Sequence, residues 1–272
     1  MASWFEPDWP APDSVGSAIT TRQGGGSQGA FDSNNLALHV QDREADVQAN
    51  RQTLAQSLGL SQQPLWLEQV HGVKIAYVPD SLSIADTTPV ADASMTNRAG
   101  AACVVMTADC LPVLFCDQQG TQVAAAHAGW RGLCNGILRK TAAQFPRPDQ
   151  VMAYLGPAIG PQAFEVGPEV LQAFIDQAQD AKHLAAIKEA FVQATNTDSA
   201  STDSSNAEVK GAQGKYLADL YALARADLAH CGVTAVYGGG FCTVSDSERF
   251  YSYRREAQTG RMASLVWLKS DH

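Results

Sequence analysis

Two hydrophobic rhythms run along this chain. Residues 100–117 (GAACVVMTADCLPVLFCD) hold two nearly continuous runs of small and β-branched apolar residues, and 121–129 (TQVAAAHAG) a third. Runs of this kind, with no polar residue at every second position, predict strands buried on both faces. Further strands are predicted over 17–22, 65–70 (LWLEQV), 73–78 (VKIAYV), 151–157 (VMAYLGP), 234–241 (TAVYGGGF) and 262–268 (MASLVWL), with His71-Gly72 as the turn between the second and third of these. The second rhythm recurs every three to four residues and predicts helices. One covers 44–59, with Val47, Leu54 and Leu58 on one face, Asp42 or a neighbour as its cap and Gly59 as its stop. Others cover 129–145 around Leu133, Ile137 and Leu138, 166–178 with Pro168 in the first turn, and 215–232 with apolar positions 217, 220, 221, 224 and 228. Strands and helices interleave without a regular βαβ beat. The expected fold is therefore α+β (mixed α/β), a single domain over 1–272 with a mixed central sheet or sheets flanked by helices.

Two segments stand outside these rhythms. Residues 23–35 (QGGGSQGAFDSNN) are too rich in glycine and small polar residues for an element interior. The stretch around 196–208 is poor in apolar residues and rich in Ser, Thr, Asp and Asn, which predicts a flexible surface insertion.

Composition narrows the function classes. With 272 residues and 45% apolar content the chain can bury a large core. Lys plus Arg is 19 against 28 Asp plus Glu, a net charge of −9, and no basic run is present. That argues against nucleic acid as a partner, while an anionic small molecule needs only one or two local arginines. The first residues carry acids and prolines where a secretion signal has basic and then apolar residues, and no stretch approaches the roughly 18 apolar residues of a membrane span. The expected location is the cytoplasm, with no membrane partner. The six cysteines (103, 110, 116, 134, 231 and 242) form no CxxC pair and read as reduced thiols, most of them core fillers.

Three strings put a soft or borderline metal ligand where a predicted strand ends: QVHG with His71, TADC with Cys110 and AHAGWRG with His127. A thiolate and two imidazoles suit zinc, and three protein ligands leave a fourth position open for water or substrate. The same residues have other readings. A cysteine after an apolar strand is commonly core, and Cys110 with His127 is also a nucleophile–base pair suited to hydrolysis. Spacing alone does not separate these.

The blocks TADCLPVLF, AHAGWRG, LGPAIGPQAFEVG and SYRREAQTGR resemble the signature blocks of the YfiH-like family, also called the polyphenol oxidase or laccase-domain family. TTRQGGGSQG, DREADVQANR, EQVHG and ADASMT fit the same pattern in the same order, so the resemblance spans nearly the whole chain. One departure is the stretch SNNLALHVQD, which carries an extra polar residue and lacks the family's glycine. The resemblance implies that His71, Cys110 and His127 bind zinc, with copper(II) as the alternative ion. It further implies a purine nucleoside phosphorylase acting on adenosine, inosine and methylthioadenosine with phosphate, and adenosine deaminase activity in the same site. Some family members are linked instead to removing a misplaced serine from a peptidoglycan precursor.

Around the ligands, Arg131 sits where a helix is expected to begin, and a guanidinium beside free helix-start amides is suited to phosphate. Arg22 beside the glycine-rich loop is a second phosphate candidate, and His39 a candidate substrate contact. Cys110, His127 and Arg131 are the expected catalytic set. Asp92 and Asp109 could orient a ligand histidine or move protons, with a structural role preferred for Asp109. Cys134 reads as a helix-face filler, and the arginines of FYSYRR as braces of the fold. The zinc deaminase signature of H-x-E with P-C-x-x-C is absent. A multicopper oxidase is poorly served by six histidines, two of which (His183 and His272) are read as lying near flexible ends. A zinc or cysteine amidase and a non-enzymatic metal-binding module complete the alternatives.

Overall fold

A computed structural model describes residues 2–78, 88–194 and 214–270, so the predicted insertion around 196–208 and His272 lie outside the described residues. In chain order the strands are β1 (Trp4–Phe5), β2 (Val15–Thr20), β3 (Ile75–Tyr77), β4 (Ala93–Thr96), β5 (Ala102–Thr107), β6 (Leu111–Asp117), β7 (Val123–Ala128), β8 (Val151–Leu155), β9 (Glu165–Val166), β10 (Phe191–Gln193), β11 (Tyr216–Ala218), β12 (Ala235–Gly238) and β13 (Met262–Leu268). The helices are α1 (Glu44–Ser57), α2 (Trp130–Cys134), α3 (Ile137–Ala142), α4 (Pro168–Asp176), α5 (Ala181–Glu189) and α6 (Leu220–His230). Among the described residues, no helix is long and apolar enough to cross a membrane.

Two sheets packed face to face hold the molecule together. One has the order β1-β2-β13-β5, the other β12-β8-β6-β7-β4-β3, and a three-stranded ribbon β10-β11-β9 lies apart. The larger sheet is mixed: β12 runs parallel to β8 and β3 parallel to β4, while its inner pairs are antiparallel. Alternation along the strands divides their side chains between two layers. Val113, Phe115, Ala124, Ala126 and Ala153 join the layer beneath α2–α6. Leu114, Cys116, Val123, Ala125 and Met152 meet Cys103, Val105, Ile19 and Val266 of the facing sheet. Beyond that sheet, Val104, Ala263 and Leu265 pack with Leu36 and Leu54 of the α1 side. The layers therefore run helix, sheet, sheet, helices, and the central strands are largely apolar because both of their faces are covered.

Several local expectations are corrected. Residues 65–70 form no strand; only single bridges occur, Leu65 to Cys103 and Glu68 to Val90. The Gln69 side-chain amide takes the place of a neighbouring strand, accepting the Met106 N–H and donating to the Met106 carbonyl, both at 2.8 Å. The helix expected over 129–145 is two short helices, because Gly136 adopts φ +83° and ends the first of them. The helix expected from 215 begins at Leu220, since 216–218 pair in the ribbon and the Asp219 carboxylate caps the amides of Tyr221 and Ala222. Helix α5, which periodicity left unassigned, is capped by Asp180 through the His183 amide. His183 is buried on that helix rather than near a flexible end.

Helix α1 holds the glycine-rich loop against its buried face. Its buried face carries Asn50 and Arg51 beside Val47 and Leu54, and Asp42 bonds the Arg43 amide and Asn35 instead of capping the helix. Asn50 accepts the Gly26 N–H at 2.8 Å and donates to the carbonyl of Asn35 and the hydroxyl of Ser27. A Cβ on Gly25 would stand 2.4 Å from the Ser33 carbonyl oxygen and 2.6 Å from Asn50 Oδ1, so the loop needs glycine to lie against the helix. Replacing Asn50 by Ala leaves several buried groups unpaired. The expected cost is about 1–3 kcal/mol in chemical denaturation, and a change within 0.5 kcal/mol would show that the amide does not hold the loop.

Candidate metal centre

The chain passes from one sheet to the other at residues 108–110, which join β5 directly to β6. Asp109 takes φ +86° to make this tight crossing, and Cys110 is delivered at the seam between the sheets. His127 lies inside β7 rather than at its end and shares the parity of Val123 and Ala125, so its side chain also faces the seam. His71 follows Gln69 in the irregular segment with φ +60°, a left-handed conformation that costs a non-glycine residue roughly 1 kcal/mol. Three distant parts of the sequence thus reach one point. Ligand atoms of His71, Cys110 and His127 all lie within 4.8 Å of one another, with Cys110 Sγ 3.6 Å from His71 Nε2 and the two imidazoles edge to face at 4.7 Å.

This donor set fits a tetrahedral ion. Zinc bonds of ~2.0–2.3 Å place a sulfur and a nitrogen about 3.6 Å apart. One soft and two borderline donors leave a fourth position open. Gly129 completes the steric fit, because a Cβ there would stand 2.6 Å from His71 Cδ2 and 3.0 Å from Cys110 Sγ. No second group of three such ligands lies together among the described residues, so they offer a mononuclear centre.

The two aspartates flanking these ligands have distinct surroundings. Asp92, fully buried just before β4, accepts His127 Nδ1 at 2.9 Å and the amides of His71 at 2.8 Å, Gly72 at 2.7 Å and Val70 at 3.3 Å. Asp109 accepts the Thr243 hydroxyl and the Arg254 amide, each at 2.6 Å, which engages both of its oxygens in bracing the crossing. Burial by itself would raise the Cys110 thiol, but the charged His127 ring and hydrogen bonds from His127 and His71 outweigh it and bring the pKa down. For His127 burial works against the charged form, and the Cys110 thiolate and Asp92 overcome it and raise the pKa. Both shifts favour the thiolate of Cys110 and the imidazolium of His127.

A cavity of about 520 Å³ opens onto these ligands. Arg131, His39, Arg254 and Arg261 are among its polar lining residues, and Trp130, Ile159, Phe164, Leu220 and Tyr253 among its apolar ones. Arg131 stacks on the Trp130 indole at 4.2 Å and donates to no protein acceptor among the described residues. Helix α2 spans only five residues, too few for a helix-dipole anion site, so any attraction for an anion there rests on the guanidinium. Arg22 is not among the lining residues. Its guanidinium donates to the carbonyls of Asp32 and Ser247 and stacks over Tyr251, a bracing role. Arg255 likewise binds the carbonyls of Thr243, Val244 and Phe250. Sequence reasoning missed Arg254 and Arg261 as cavity residues. Arg254 donates to the carbonyls of Ala163 and Glu165, and Arg261 to those of Thr259 and Gly260. Their clustering in SYRREAQTGR was the available signal. Cys134 is a buried helix-face residue.

Seam, ligands and cavity define an α+β protein with a candidate Cys-His-His metal centre at the end of two packed sheets. The family model described as multi-copper polyphenol oxidoreductase laccase matches residues 16–269. A purine nucleoside phosphorylase of Pseudomonas aeruginosa is 50% identical over 270 residues, covering 99% of this chain and 100% of the relative. Purine nucleoside phosphorylase YfiH of Escherichia coli is 46% identical over 269 residues, covering 98% and 100%. Among solved structures, a Neisseria meningitidis protein superposes with a TM-score of 0.85 at 46% identity, covering 98% of this chain and 100% of its own. YlmD of Geobacillus stearothermophilus gives 0.81 at 29% identity, covering 98% and 97%. The chain belongs to this YfiH-like, laccase-domain family.

The charged pair makes a labelling prediction. A depressed thiol pKa keeps the thiolate present below the ordinary thiol range, until pH falls through the lowered value. In metal-free protein at neutral pH, iodoacetamide should modify Cys110 ahead of Cys103, Cys116, Cys134 and Cys231, whose burial raises their pKa. Added zinc should protect Cys110 but not Cys242, which stands outside the cluster. Mass spectrometry of the peptides reads both, and unchanged labelling of Cys110 with zinc would count against a metal bound by its sulfur.

Proposed function

We propose that this chain is a zinc-dependent purine nucleoside phosphorylase acting on adenosine, inosine and methylthioadenosine, with adenosine deaminase activity in the same cavity. The observation that carries the reading is Arg131, whose guanidinium is uncommitted to any described protein acceptor and lines the same cavity as the three candidate ligands. Bacterial relatives named as purine nucleoside phosphorylases support it.

Phosphorolysis breaks the bond from C1′ to the purine nitrogen and forms a bond from C1′ to a phosphate oxygen. The base leaves with the bonding pair and takes up a proton. Arg131 holds the phosphate, its planar fork matching two phosphate oxygens. Ile159, Phe164, Leu220 and Tyr253 supply the apolar surface that a purine ring needs. His39 has its pKa lowered, first by burial and then by the neighbouring charges of Arg261 and Arg51, so it stands neutral at pH 7. A neutral imidazole has one donor and one acceptor nitrogen and can relay a proton from dihydrogen phosphate to the base. Asp109 instead braces the crossing, one oxygen accepting the Thr243 hydroxyl and the other the Arg254 amide. Zinc held by His71, Cys110 and His127 would supply Lewis acidity beside the substrate.

One specific observation favours a second reading. Cys110 and His127 lie together in the cluster, and their shifts favour a thiolate beside an imidazolium, the equipment of a cysteine amidase, so hydrolysis of a peptidoglycan precursor is the alternative.

Purified, metal-quantified protein incubated with adenosine should release adenine and ribose 1-phosphate only when phosphate is present. Cys110→Ala should abolish this. Arg131→Ala should raise the KM for phosphate about 10- to 100-fold, the loss of one charge-assisted contact, with a much smaller effect on the KM for adenosine. No turnover of adenosine or inosine by zinc-loaded protein would overturn the proposal in favour of the amidase.

A further inference from the structure

Asp92 meets two of the three candidate ligands with one carboxylate. Oδ1 accepts both the His71 amide and His127 Nδ1, while Oδ2 accepts the amides of Gly72 and Val70. A second tie reinforces the first, since the His127 amide donates to the Asp92 carbonyl at 2.7 Å. Three consecutive amides converge on one carboxylate only because His71 holds its left-handed φ of +60°.

We propose that Asp92 is the positioning residue of the metal centre, one carboxylate that sets both the backbone height of His71 and the ring orientation of His127. The inference rests on the metal reading of the site. A carboxylate is an acceptor only, so His127 Nδ1 carries the proton and Nε2 is left as the ligating nitrogen. The same carboxylate fixes the loop that carries His71, whose exposed segment makes few other bonds. Two ligands from separate elements are thereby in place before any ion arrives.

An amide cannot do this. Asn has one oxygen and one NH2 group. With its oxygen at the Oδ2 position, the NH2 faces the Nδ1–H of His127 and the His71 amide. With its oxygen at Oδ1, the NH2 faces the amides of Gly72 and Val70. Either arrangement sets donor against donor, and in the first the His127 ring regains an acceptor at Nδ1 only by moving its proton to Nε2, the ligating atom.

The test measures zinc affinity by competition with a chromophoric chelator, and the d–d and thiolate charge-transfer bands of the cobalt(II) form. Wild type, Asp92→Asn and Cys110→Ala are compared. Asp92→Asn is expected to bind roughly 10- to 100-fold more weakly, with altered cobalt bands, while its circular dichroism stays that of wild type. Wild-type affinity and bands in Asp92→Asn, with binding lost in Cys110→Ala, would overturn the positioning role and leave the metal centre standing. No binding by wild type itself would instead overturn the metal reading. Should Asp92→Asn not fold, the long-range 1H–15N spectrum of zinc-loaded wild type decides. A proton on His127 Nδ1 supports the proposal and one on Nε2 overturns it.

Discussion

The structure depends on the burial of one sheet against another. Both sheets contribute small and medium side chains to a shared layer, and the connection between β5 and β6 must pass across that layer in three residues. Such a crossing leaves the backbone no room to wander. It forces Asp109 into a left-handed conformation and exposes Cys110 at the rim of the packed layer, where a polarizable sulfur meets imidazoles instead of hydrocarbon. Fold stability and site geometry have the same origin here, because the contacts that close the two sheets also set the position of the sulfur.

Charge is distributed around this seam by commitment rather than by number. Arg22, Arg254, Arg255 and Arg261 spend their donors on backbone carbonyls and lock the loops at the end of the sheets. Arg131 spends none and rests on an indole, which orients the guanidinium while leaving its edge open. The acids divide in the same way: Asp109 serves the backbone crossing, and Asp92 serves the imidazoles. A net acidic chain can therefore present a locally positive cavity without a basic patch on its surface.

Much of this was legible in the residues. Continuous apolar runs identified the doubly covered strands β5, β6 and β7, and the QVHG, TADC and AHAGWRG strings, with the family resemblance, pointed to candidate ligands, three residues that the fold brings together. Several of the failures share a physical cause, which is that side chains took over backbone roles. Residues 65–70 have strand-like composition, yet the Gln69 amide supplies the hydrogen bonds a strand would have supplied. Arg22 looked like an anion ligand beside a glycine loop, yet carbonyls 10 and 225 positions away in sequence claim it. Asn50 and Arg51 sit on the buried face of α1, where periodicity assigns only apolar residues. Long-range polar pairing of this sort leaves no periodic trace in one sequence.

The Gln69 amide also separates two levels of order. A strand added to the edge of β5 would have tied residues 65–70 to the pleat, and a slip of one residue would have turned every side chain over. A single amide meeting a single peptide unit imposes no such alternation. The segment that delivers His71 is pinned at separate points, by the Leu65 bridge to Cys103, the Gln69 amide and the Asp92 carboxylate, rather than along a continuous ladder. The edge of β5 is at the same time closed to other chains at that point, since its peptide hydrogen bonds are already satisfied from within.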